Sequence, residues 1–199
     1  MRFQVWSGVE EWLTEAAEIE LGNDGLRASG IQLGAEPVPF RVDYRLEAPL
    51  RWVTSELELT ATAEGWSRHL LLTHDGSGGW RAEVSDDGEV PEGPWDGELP
   101  DLSAARDIDI ENSPLTNTMP ILREGFQEGG SGDFVMAFVR TPTLRVEASP
   151  QRYEHVRAKE EGSVVRYLSR DGDFTAELEV DRDGLLEFYP RLARRINAS

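Results

Sequence analysis

Two aspartates alternate with two isoleucines in the run Asp107-Ile108-Asp109-Ile110, between two irregular stretches of the chain. On a strand, residues two apart share a face, so Asp107 and Asp109 project together with Cα atoms about 6.5–7 Å apart. Carboxyl pairs separated by roughly 6.5–9.5 Å serve inverting glycoside hydrolysis, one as general acid and one as general base. The competing reading is a solvated acidic face, or carboxylates that accept hydrogen bonds from the following loop. In so acidic a chain that reading is the more ordinary one.

The segment that follows is Ser113-Pro114-Leu115-Thr116-Asn117-Thr118-Met119-Pro120. Each proline biases its predecessor, Ser113 or Met119, toward extended backbone, which predicts a loop stiff at both ends. Thr116, Asn117 and Thr118 between them donate and accept hydrogen bonds, so this rim can read sugar hydroxyls or satisfy its own backbone. Arg123 lies just beyond and can pair with Asp107 or Asp109. Trp52, Trp66 and Trp80 offer flat faces for stacking on a sugar, against which stands ordinary core packing.

Other chemistries find no support. There is no Walker loop, no Gly-x-Gly-x-x-Gly after a strand and no Gly-x-Ser-x-Gly elbow. Asp75-Gly76-Ser77-Gly78-Gly79 reads as a hairpin loop. His69 and His74, five apart, project to opposite faces of a strand, and His155 stands alone, so no metal site is expected. Cysteine is absent, which removes thiolate catalysis, disulfides and Cys-based zinc sites. No cofactor is expected.

The 38 acidic and 20 basic residues give a net charge of −18, and Lys159 is the single lysine. Such a surface repels phosphate backbones, so nucleic acid is not an expected partner. The acidity reads either as complementarity to a cationic partner or, the preferred reading, as solubility, a halophilic version of which suits a salt-rich cytoplasm. No apolar run approaches the roughly 20 residues of a membrane span, and Met1–Trp12 lacks a basic region followed by an apolar stretch. A cytoplasmic location is expected; the sequence does not fix an oligomeric state.

The elements that position these residues read as strands. Ile19 and Leu21 alternate with Glu18 and Glu20, Leu57 and Leu59 with Glu56 and Glu58, Leu178 and Val180 with Glu177 and Glu179. Alternation with period two marks half-buried strands. Asp24-Gly25, Asp75-Gly76 and Asp183-Gly184 supply the positive φ of tight turns. Apolar residues stand five and three positions before each of these aspartates, which suggests two related halves, about 1–100 and 101–199, within one domain. Helix signals are few: Val9–Ala17, with Ser7 as N-cap, reads as two turns of helix or as strand, and Leu192–Ile196 as a short final turn. Ser85–Asp101 and Asn112–Asp133, the latter with Gly129-Gly130-Ser131-Gly132, read as long loops. The expected fold is all-β, a single antiparallel sheet of short hairpin strands with at most one or two short helices.

Several of these motifs resemble a family of bacterial and archaeal proteins described as "putative glycolipid-binding". They are Asp107-Ile108-Asp109-Ile110, Ser113-Pro114-Leu115-Thr116-Asn117-Thr118-Met119-Pro120 with Arg123, Trp6 with Gly8-Val9-Glu10, and Tyr44 with Trp52. To these add Gly76-Ser77-Gly78-Gly79-Trp80, Gln151-Arg152-Tyr153, Phe174–Asp181, and Gly184-Leu185 with Tyr189-Pro190 and Arg194. The chain departs from the family pattern at Ala105-Arg106, where Gly-Cys is usual, and at Leu122, which replaces the first of two arginines. The resemblance implies an antiparallel sheet curled into a roll or half-barrel, no established catalysis, and a lipid or glycolipid as partner. Candidate ligand-binding residues are then Asp107, Asp109, Thr116, Asn117, Arg123, Trp52, Trp66, Trp80 and Tyr189. Two alternatives stand beside it: an enzyme acting on carbohydrate through Asp107 and Asp109, and a protein-interaction or structural module.

Overall fold

The computed structural model describes residues 1–125, 130–170, 172 and 174–196. The first half of the chain forms β1 (Arg2–Gly8), β2 (Leu13–Leu21), β3 (Leu26–Gly34), β4 (Phe40–Ala48), β5 (Glu56–Ala63), β6 (Trp66–His74) and β7 (Trp80–Gly88). The second half forms β8 (Ala105–Ile110), a 3-10 turn (Leu115–Asn117), α1 (Thr118–Glu124) and β9 (Ser131–Val139). Then come β10 (Val146–Lys159), β11 (Gly162–Ser169), β12 (Thr175–Asp181), β13 (Leu186–Tyr189) and β14 (Ala193–Arg195). All the strands belong to one sheet, which stays open and runs β7-β6-β5-β4-β3-β2-β1-β14-β13-β12-β11-β10-β9-β8.

Alternation builds it. In β5 and β6, Leu57, Leu59, Leu70 and Leu72 are wholly buried while their neighbours in sequence are partly exposed, and Leu178 and Val180 repeat the pattern in β12. The Asp-Gly pairs fall at the β2–β3, β6–β7 and β12–β13 connections; Gly76 and Gly184 take the expected positive φ, at 81° and 73°, and Gly25 does not. The halves meet where β1 pairs with β14. That pairing corrects the turn expected over 192–196. The helix option for 9–17 is also overturned: from Leu13 onward burial alternates in a strand, with Leu13, Glu15, Ala17 and Ile19 facing inward.

One neighbouring pair departs from the antiparallel expectation, because β8 runs parallel to β9. Parallel neighbours need a crossover, and the segment between β8 and β9 supplies it in part as helix. The proline-framed loop expected there is therefore corrected: residues 115–124 are helical. Pro114 caps the 3-10 turn at φ −63° and ψ −33°, and Pro120 is the third residue of α1, in the first turn where a missing N–H costs nothing. Gly125, at φ 57°, ends the helix in the left-handed conformation. Of the run Gly129-Gly130-Ser131-Gly132 expected to continue that loop, Gly129 lies outside the described residues, and Ser131 and Gly132 open β9.

This helical segment fills the inside of the roll. Leu115 and Met119 are wholly buried, as is Thr118. Glu15 of β2 anchors it: its carboxyl accepts hydrogen bonds from the Tyr44 hydroxyl at 2.5 Å, from the Ser113 hydroxyl at 2.9 Å and from the backbone of Leu115. At the outer edge, residues 89–104 strap across the sheet from β7 to β8. Arg68, whose side chain is 0% exposed, ties the strap down. It donates to both oxygens of Asp86, to the Gly93 carbonyl in the strap and to the Thr143 carbonyl in the β9–β10 loop.

Candidate functional site

The turns at one end of the roll surround a cleft of about 1010 Å³. Its walls come from the β2–β3, β4–β5 and β6–β7 connections, the start of β8 and the end of α1. The β4–β5 connection contains the least relaxed backbone of the site. Leu50 and Val53 form a bridge, with the Val53 amide donating to the Leu50 carbonyl, and between them Arg51 and Trp52 lie at φ 53° and 58°. A two-residue turn with both central residues at positive φ normally takes Asn-Gly or Gly-Gly. An arginine and a tryptophan there each cost of order 1–3 kcal/mol of backbone strain, the kind of cost that persists where function needs the side chains.

Surrounding bonds hold this turn. Trp52 is buried and its amide donates to the Asp24 carbonyl at 2.9 Å. Thr54 joins it to the rest of the cleft: its amide donates to the Arg106 carbonyl, and its hydroxyl accepts from the Ile108 amide and lies 3.7 Å from the Met119 sulfur. His74 donates from Nδ1 to the Thr54 carbonyl and accepts the Gly78 amide at Nε2, which fixes the neutral tautomer. The Trp80 ring stacks on His74 with centroids 4.6 Å apart, and its Nε1 donates to the Ala105 carbonyl.

A second cavity of about 500 Å³ opens on the other side of Arg106, Arg123 and Glu124, which line both. In its wall Arg123 donates from Nη1 to Asp107 at 2.5 Å. Burial pushes the Asp107 carboxyl up, while the guanidinium of Arg123 opposes that rise. Arg123 also donates from Nε to Glu124 and lies over the Phe134 ring. Its Nη2 has no partner among the described residues.

Asp109 shares a face with Asp107 but not its access. One oxygen accepts from the Thr116 hydroxyl and the other from Gln151, each at 2.7 Å. Burial pushes its carboxyl up to about 6. Asp107 lines a cavity and Asp109 lines neither of the two, so the pair does not present two carboxyls to one substrate.

The other candidates divide similarly. Thr116 and Asn117 are buried in the plug, Asn117 accepting from the Tyr153 hydroxyl at 2.9 Å and donating to the Ser113 carbonyl. Tyr189 packs with Tyr167 and Phe174, and Trp66 is buried at the start of β6. Trp80 lines a groove between β7 and the strap. Trp52 and Arg123 reach the large cleft, and Asp107 the smaller cavity. Sequence reasoning missed Arg51, Thr54, His74 and Arg106 as cleft residues. His74 was legible as the inward-phase residue that ends Trp66, Arg68, Leu70 and Leu72; Arg106 carried no signal. Among the described residues no group of His, Asp and Glu is gathered as a metal-ligand set, and no helix is long and apolar enough to cross a membrane.

The family model described as "Putative glycolipid-binding" matches residues 4–195. The crystal structure of a DUF1089 family protein from Pseudomonas aeruginosa is similar with a TM-score of 0.71 and 29% sequence identity, over 92% of this chain and 92% of that one. No curated protein matches.

Proposed function

Because the chain belongs to the family described as "Putative glycolipid-binding", we propose that it binds the sugar headgroup of a glycolipid in the cleft at the turn end of the roll. The observation that carries this reading is the Arg51-Trp52 turn, a strained pair of large side chains held in the wall of a cleft of about 1010 Å³. Ligand sites commonly span about 300–1,000 Å³. Trp52 supplies a face for a sugar ring, and the free donor of Arg123 supplies a hydrogen bond to its hydroxyls.

The buried plug supports a reading in which the lipid part stays out of the interior. With Leu115 and Met119 packed inside the roll, this reading lays the acyl chain along the open cleft or outside it. Catalysis is not part of this reading, since Asp109 has both oxygens committed inside the protein.

Isothermal titration with n-octyl β-D-glucoside below its micelle concentration, comparing the unmodified chain with Trp52→Ala, tests the proposal. At least tenfold weaker binding by the variant is expected. Equal affinity for the two proteins, or no binding by the unmodified chain to this or longer alkyl glycosides, would overturn it.

A further inference from the structure

The cations of this protein are almost all neutralised within it. Of the twenty basic side chains, sixteen lie in ion pairs; among the described residues Arg51, Arg81, Arg106 and Arg194 have none. Arg194 lies over the Phe188 ring. Arg51 and Arg106 line the same cleft. In a chain of net charge −18, acidic side chains are plentiful, so two unpaired arginines facing one hollow are a specific arrangement. Their backbones are joined: Thr54, three residues after Arg51, donates its amide to the Arg106 carbonyl at 3.0 Å. Arg123, with its free Nη2, stands at the inner wall.

The acidic side chains near these arginines are mostly engaged by other partners; Asp107, whose carboxyl feels the charge of Arg106, is bonded to Arg123. Asp75 is turned into its own loop, where it accepts from the Ser77 amide and hydroxyl and from the Gly79 amide. Glu124 is paired with Arg123. Asp24 is the one carboxylate of the cleft without a side-chain partner among the described residues. Two free guanidinium groups and one further free donor therefore face one free carboxylate. Guanidinium groups match the oxygens of phosphate in fork geometry, and a concave wall strengthens their field.

We infer that the headgroup taken by this cleft is an anionic sugar: a sugar carrying a phosphate group held between Arg51 and Arg106, with the ring against Trp52. The chemistry is shared by a phosphorylated glycolipid and a free sugar phosphate. The inference rests on the proposed headgroup-binding reading and adds the charge of the ligand to it. Arg51 also gains a reason for its conformation. An arginine is kept at a positive φ that Asn or Gly would take with less strain, and it lines the cleft.

Three probes separate the possibilities: n-octyl β-D-glucoside, glucose 6-phosphate and dihexanoyl phosphatidylinositol, each titrated below any micelle concentration into the unmodified chain and the Arg51→Ala/Arg106→Ala double variant. Both residues are exposed, so the variant is expected to fold; circular dichroism checks this. Arg182→Ala, exposed on the β12–β13 turn, controls for general charge. The expected result is that phosphatidylinositol or glucose 6-phosphate binds at least tenfold more tightly than the neutral glucoside. The double variant then loses at least tenfold on the anionic probe and nothing on the neutral one, and Arg182→Ala changes neither. Preference for the lipid probe assigns a phosphate-bearing polyol headgroup on a lipid, and preference for glucose 6-phosphate a free sugar phosphate. Equal affinity for neutral and anionic probes, or an Arg182→Ala loss as large as that of the double variant, overturns the inference and leaves headgroup binding standing. Binding of none of the three overturns both.

Discussion

Arg123 of α1 and Asp107 of β8 meet in the wall between the two cavities, with Nη1 2.5 Å from Oδ1 and side-chain exposures of 10% and 1%. The contact fixes the end of the plug to the edge strand of the sheet, so it joins the interior filling to the site. Removing one member of a buried pair leaves the other uncompensated, at a cost of about 3–5 kcal/mol, whereas removing both is far less damaging. Arg123→Met is therefore expected to lower stability by about 3 kcal/mol, and Asp107→Asn/Arg123→Met to recover most of it. Urea unfolding at pH 7 reads both; a double variant no more stable than the single one would remove the ion pair from the account.

Glu15 predicts a pH dependence. Burial raises its carboxyl from 4.5 to about 7, against the lowering effect of the Tyr44 and Ser113 hydrogen bonds. The folded chain then keeps a proton that the unfolded chain releases near 4.5. Over that interval the native state binds more protons, so stability falls as pH rises. The contribution is fully present below about 4.5 and lost above about 7, on the order of 3 kcal/mol in total. Asp109, raised from 3.8 to about 6, acts with the same sign in its own window. Glu15→Gln keeps the size and is expected to flatten the stability profile between pH 5 and 8 relative to the unmodified chain. Parallel profiles would show that Glu15 does not titrate in that range.

Much of this interior was written in the phase of the alternation. Glu15 falls in step with Leu13, Ala17 and Ile19, and Arg68 with Trp66, Leu70 and Leu72; each is a polar residue at an inward position, and each is a buried anchor. The hairpins were legible because strand alternation and Asp-Gly turns depend on near neighbours. The plug was not. Pro114 and Pro120 mark an extended loop by local rules, but burial of Leu115 and Met119 and the crossover demanded by parallel β8 and β9 favour helix. The cleft was equally hidden, because Arg51, His74 and Arg106 come together only when the sheet curls, and no local spacing records that contact. Asp107 and Asp109 do share a face, yet whether each meets solvent was decided by Thr116, Gln151 and Arg123.

Arg68 predicts how the strap behaves. Its four hydrogen bonds join β6, β7, residue 93 and residue 143. Arg68→Met removes the buried cation, takes from Asp86 the partner that holds it below the usual carboxylate range, and leaves the Gly93 and Thr143 carbonyls without their donor. Stability is expected to fall by about 3 kcal/mol. Amide hydrogen exchange checks the location of the damage: faster exchange in 89–104, with β1–β5 keeping their order of protection, is the expected result, and uniform acceleration across the sheet is the contrary one.

The Arg51-Trp52 turn predicts a trade between stability and binding. Glycine takes positive φ without the steric cost that arginine bears. Because Arg51 is exposed and has no partner among the described residues, Arg51→Gly is expected to raise stability by about 1 kcal/mol in urea unfolding while weakening the anionic probe. A stability loss would mean that Arg51 makes a structural contribution the strain argument omits.

Amide chemical shifts locate the ligand site residue by residue. With n-octyl β-D-glucoside added to the isotopically labelled chain below its micelle concentration, saturable shifts are expected at Trp52, Thr54, Gly78 and Arg106, together with the Trp52 indole N–H. The outward residues of β2, β4 and β12 are expected to stay unmoved. Saturable shifts confined to those outer faces, with the cleft residues unchanged, would contradict that location.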